Sequence, residues 1–97
     1  MQAFRMFQGE PREVTLRFRD CLIGLLYDKF GEGLHITRLD NQWCEARVTV
    51  QISMPFWSWL FMLSGDLRLV GPEDLVERYR SLIEEVHTKQ IVDQEPQ

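Results

Sequence analysis

Apolar and polar residues alternate along two stretches of the chain. Val14, Leu16 and Phe18 are interleaved with Thr15, Arg17 and Arg19. This period of two predicts a half-buried strand. The longer case is Cys44, Ala46, Val48, Val50 and Ile52, set against Glu45, Arg47, Thr49 and Gln51. Its apolar members should line one face of a sheet and its polar members the other. Leu34–Leu39 reads as a short strand, joined to this one as a hairpin through the turn-forming Asp40-Asn41-Gln42. Leu67–Val70 reads as a fourth strand.

Helical spacing fills the gaps. Leu22, Leu25, Leu26 and Phe30 recur at intervals of three to four, with Asp20 as the expected N-cap and Gly31 as the stop. Gly24 inside this segment weakens it. Ser53 is a good N-cap for a second helix, and Pro55 is tolerated in its first turn. Phe56, Trp57, Leu60, Phe61 and Leu63 make this helix apolar on most sides, which predicts deep packing. The third helix opens at Pro72, with Glu73 and Asp74 in a first turn where the helix dipole favours anions. Leu75, Tyr79, Leu82 and Val86, joined by Val76 and Ile83, form its expected buried stripe.

The resulting order is strand, helix, strand, strand, helix, strand, helix. Its first six elements fit the split βαβ, or ferredoxin-like, arrangement. The expected fold is α+β: a four-stranded antiparallel sheet with the first and third strands central, helices on one face, and an added C-terminal helix. Residues 1–12 read as a lead-in punctuated by Gly9 and Pro11, residues 13–90 as the domain, and residues 91–97 as a flexible tail.

Length and charge narrow the function. Ninety-seven residues suit one domain, and six Phe, three Trp and two Tyr can fill a core. A disordered chain would lack this apolar content. The net charge of -4 argues against duplex binding by bulk charge. That charge resides in residues 71–97, with seven acids and three bases, while residues 1–70 balance eight against eight. Cys21 and Cys44 are 23 positions apart, with no CxxC and no clustered His, so buried thiols are expected and no metal. With no signal peptide, the expected compartment is the cytoplasm. The apolar run Met54–Leu63 is too short to span a bilayer, and no cofactor motif is present.

The residues favour binding over catalysis. There is no nucleophile elbow, P-loop or HExxH. His35 and His87 lie in separate elements, and the adjacent Glu84 and Glu85 diverge on a helix, so no catalytic residue is expected. The sheet face turned away from the helices is more informative. It should carry Arg17, Arg19, Arg47 and Arg68, an arrangement suited to phosphate or carboxylate. Ordinary solvated strand patterning explains the same alternation, with Arg17 and Arg47 paired to nearby acids. Like charges close across strands need an offset, and Glu45 is one candidate. Trp43, at a strand end, is the one aromatic able to stack a base there. Trp57 and Trp59, two residues apart on a helix, cannot both face one core, so the pair marks a candidate interface.

Several runs together resemble a known family. Gly9-Glu10-Pro11 leads into Val14-Thr15-Leu16-Arg17-Phe18. Asp28-Lys29-Phe30-Gly31 and Ala46-Arg47-Val48-Thr49-Val50 follow, then Phe56-Trp57-Ser58-Trp59-Leu60 and Val70-Gly71-Pro72-Glu73-Asp74-Leu75. In order and spacing, over residues 4–90, they resemble the C-terminal extension (WCX) domain of WYL-domain bacterial transcriptional regulators. The resemblance implies a ferredoxin-like module that helps dimerisation and ligand-dependent regulation. It implies a parent with a helix-turn-helix for duplex DNA and a WYL domain as partner, and effectors that are single-stranded nucleic acid or nucleotides. No WYL-domain residue has a matching position here. The reading is therefore a non-catalytic regulatory domain, homodimeric, with no membrane association. The alternative is a stand-alone ferredoxin-like domain that binds a small molecule or anion on the arginine face. An enzyme ranks third and would need a deep pocket with paired titratable groups.

Overall fold

The computed structural model describes residues 9–31 and 33–91. Residues 1–8 of the expected lead-in and 92–97 of the expected tail lie outside the described residues. Strand β1 runs Glu10–Arg19, a 3-10 turn covers Asp20–Leu22, and helix α1 runs Ile23–Phe30. Strands β2 (Ile36–Arg38) and β3 (Trp43–Ile52) follow, then helix α2 (Met54–Met62), strand β4 (Leu67–Gly71) and helix α3 (Glu73–Gln90). The sheet order is β2-β3-β1-β4, and each neighbouring pair is antiparallel.

Period two explains the core. Val14, Leu16 and Phe18 of β1 are buried, as are Cys44, Ala46, Val48, Val50 and Ile52 of β3. They share one apolar cluster with Leu26 of α1, Phe56, Trp57 and Leu60 of α2, and Leu75 of α3. The helices therefore cover the sheet face that these residues line. Thr15, Arg17, Glu45, Arg47, Thr49 and Arg68 occupy the opposite positions of the pleat.

Local chemistry fixes the joints. Asp40 Oδ1 accepts from the N–H groups of Gln42 and Trp43, both at 2.8 Å, and so closes the β2–β3 turn. These two hydrogen bonds hold its carboxyl below the usual carboxylate range. Ser53 Oγ accepts from Phe56 N–H at 3.5 Å, and Gly31 N–H bonds Tyr27 O at 2.8 Å. Gly9 has φ 71°, and a Cβ there would lie 2.1 Å from Ile52 O, so only glycine fits.

The structure corrects five expectations. β1 starts at Glu10, so the stretch read as lead-in supplies its first residues. Asp20 does not cap α1: the chain tightens into a 3-10 turn, and its carboxylate turns to Arg38 Nη2 at 3.4 Å. Helix α2 is not packed all round, because it has the sheet on one side only; Met54, Phe61 and Met62 are exposed. The apolar stripe of α3 is covered over its first turns alone, since Leu75 is buried while Ile83 and Val86 are exposed. Of the two thiols, Cys44 is buried and Cys21 exposed. Among the described residues, no helix is long and apolar enough to cross a membrane.

Candidate functional site

The sheet face that no described helix covers brings all four expected arginines to one side. Cross-strand register sets their spacing. Arg17 lies directly between Glu45 of β3 and Arg68 of β4. Arg47 sits beside Thr15, and Arg19 beside Trp43. Arg47 and Arg68 are therefore separated by β1, two strand spacings or about 10 Å across the sheet.

The four differ in how far they are engaged. Arg17 Nη2 lies 3.4 Å from Glu45 Oε1. Its Nε is buried with no hydrogen-bond partner among the described residues. Arg19 is the most tightly held: Nε is 3.1 Å from Asp66 Oδ1, and Nη1 donates to Gln42 Oε1 at 2.7 Å. Its guanidinium lies 4.7 Å from the Trp43 ring centre, and that of Arg68 lies 4.4 Å from the same ring. Trp43 is thus a shared π platform for two cations. Glu45 and Trp43 together offset the Arg17–Arg68 repulsion. Arg47 and Arg68 have no carboxylate partner among the described residues. Their N–H groups are the donors left for an anion arriving from solvent.

The tryptophans take separate places. Trp57 is buried and stacks on Tyr79 of α3, with ring centres 5.4 Å apart and planes 11° apart. Burial raises the Tyr79 hydroxyl above its usual pKa. Trp59 is half-buried, edge-on to Phe30 at 5.8 Å, with Lys29 Nζ 4.9 Å from its ring centre. Neither is an exposed anchor. The exposed apolar residues of α2 are Met54, Phe61 and Met62; Phe61 was among those expected to pack, and the two methionines were not singled out.

Two ion-paired contacts also escaped the sequence reading. Arg12 of β1 forks onto Asp74 of α3, with N–O distances of 3.0 and 2.9 Å. The Arg12 guanidinium holds the Asp74 carboxyl below the usual carboxylate range, and the carboxylate raises Arg12. Beside this pair, Arg78 Nη1 lies 3.2 Å from Glu10 Oε1. Both pairs span more than 60 positions, and no local pattern signals them. His35, in the loop just before β2, and His87, in α3, are both exposed. Among the described residues, no group of His, Cys, Asp and Glu could hold a metal ion.

Comparison with known proteins agrees with the architecture. No curated protein and no solved structure matches the chain. The family profile of the WCX domain matches residues 10–86, from the first residue of β1 to Val86 of α3. That span holds every strand, both short helices and the arginine-bearing face, and by it the chain belongs to the WCX domain family, a regulatory domain associated with WYL-type transcriptional regulators.

Proposed function

We propose that this chain is a non-catalytic regulatory module of ferredoxin-like topology that takes part in effector response and self-association of a WYL-type regulator. Antiparallel pairing in the order β4-β1-β3-β2, read from the other edge, supports the ferredoxin-like assignment. The observation that carries the function is the sheet face that no described helix covers, where Arg47 and Arg68 keep donors open beside an aromatic platform, Trp43. Guanidinium donors suit phosphate, and an indole suits a base. Nucleotides and single-stranded nucleic acid combine both groups, so they are the effector class this face fits best. The WYL domain of the same or a partner chain is the proposed neighbour.

Fluorescence anisotropy with a panel of labelled single-stranded oligonucleotides and nucleotides tests this reading. Binding should weaken as salt rises. Arg47→Ala and Arg68→Ala should each weaken it several-fold, on the scale of about 1–2 kcal/mol for a charge-assisted hydrogen bond. Arg12→Ala, at the far end of β1, should leave it unchanged. Binding that ignores both face arginines would remove the assignment.

A further inference from the structure

Strand β2 covers only part of β3. Its three residues pair with Cys44, Glu45 and Ala46, while β3 runs on to Ile52. Leu39 N–H bonds Trp43 O at 2.8 Å, so the backbone groups of Trp43 point toward β2. Alternation in an antiparallel ladder turns those of Glu45, Arg47 and Thr49 the same way. At Thr49 they meet no strand among the described residues. β1 holds the opposite side of β3 along its full length. The far half of β3 is thus an open sheet edge, a ready template for another strand.

Two cavities lie along this edge. One, of about 360 Å³, is lined by Thr49, Val48, Leu34 and Phe30. The other, of about 340 Å³, is lined by Thr49, Val50, Phe56 and Phe30. They share Phe30 and Thr49 and follow one another along the strand. Cations flank them. Arg47 points to the open face, and Lys29 stands at the second cavity. Neither has a carboxylate partner among the described residues. Of the acids that β1 and β3 present on the open face, Glu45 is engaged by Arg17, and Glu13 lies on β1, one strand further from the edge.

We propose that this edge takes up an extended acidic segment of a partner protein as a fifth strand. The N–H and C=O of Thr49 pair with the incoming backbone. Its apolar residues at i and i+2 turn toward the helices and enter the two cavities beside Phe30. The acidic residue between them turns to the open face and meets Arg47. Main-chain pairing supplies affinity, and the cavities and charge supply selection. The other edge is less suited, because the β1–β4 ladder shifts register between Thr15 and Leu16, an irregularity that works against further pairing.

Amide chemical shifts of the isotope-labelled chain, titrated with acetyl-Glu-Val-Glu-Val-Glu-amide, test this. The largest shifts should fall at Thr49 and at the neighbours of Phe30. Methylating every internal backbone nitrogen of the peptide should abolish them. Arg47→Glu should raise the dissociation constant about fivefold, the scale of an exposed ion pair turned repulsive. The Lys-for-Glu peptide should bind that variant better than it binds wild type. Binding that survives methylation, or that moves β1 and β4 amides rather than Thr49, is charge attraction to the arginine face and overturns strand addition. No shift at millimolar peptide overturns it as well. A Thr49 shift that follows chain concentration without peptide gives the edge to a second copy and overturns the partner segment.

Discussion

At Arg17, register decides chemistry. Its neighbours across the sheet are Glu45 on one side and Arg68 on the other. The Arg17–Glu45 pair is long and part-exposed, so its own contribution is below about 1 kcal/mol. Removing the acid does more than delete a weak pair, because Arg17 and Arg68 then face each other with Trp43 alone to temper them. Glu45→Gln should lower stability in urea titrations at low salt, and the loss should shrink as salt screens the repulsion. Alternation alone predicted that these side chains share a face and that Glu45 was available. It did not show which arginine meets which acid. That register belongs to the pairing of β1 with β3, strands separated by α1 and β2 in the sequence, and it also brings Trp43 beside Arg19.

Asp74 gives a residue-scale prediction with a sign. Its folded pKa is depressed below the ordinary 3.8 by Arg12. A depressed carboxyl contributes stability above its unfolded pKa and loses that contribution as pH falls through the folded value. Wild type should therefore exceed Asp74→Asn in stability near neutrality. The difference should hold until the ordinary carboxyl range and vanish in stronger acid. Thermal melts across that range read it directly. Asp40, depressed by two backbone N–H groups, lies on the same acid limb, so the variant should flatten only part of the acid unfolding.

Among the elements, α2 separates composition from packing. Its sequence is apolar on nearly every side, yet its neighbours cover only Phe56, Trp57 and Leu60 fully. Hydrophobic content shows that a helix has surface to bury. It does not show how many neighbours are present to bury it. Leu60→Ala should cost about 2–5 kcal/mol, as for other buried leucines, and Met62→Ala less than about 0.5 kcal/mol within the monomer fold. Denaturant midpoints compared at low protein concentration separate the two. In α1 the cap expectation failed for a different reason. Asp20 has the right chemistry, but the residue after the strand enters a 3-10 turn, and Leu22 takes the cap position without a side-chain bond. Ser53 sits where strand ends and helix begins with no intervening turn, and there the cap forms.

Across the whole molecule, strand identity and the inward and outward faces were legible, because period two survives wherever one face is covered. The reach of α3 was not. Its stripe is continuous from Leu75 to Val86, and nothing along it marks where the sheet stops. The ends of β1 and α3 are joined by Arg12–Asp74 and Glu10–Arg78, contacts set by the folded chain rather than by local order. Amide exchange should follow this layout. Leu16–Phe18, paired on both sides, should exchange slowest, and Glu84–Gln90 fastest.

The central place of β1 has a mechanical consequence. A pull on Gly9 along the strand axis loads the ladders to β3 and β4 together, in shear, so many hydrogen bonds must yield at once. An edge strand such as the three-residue β2 instead peels, one bond after another. A displacement arriving through Gly9 is thus carried by the whole sheet rather than absorbed by a loosened strand. Because β4 runs into α3 through Pro72, the same displacement is passed to the start of that helix through the backbone.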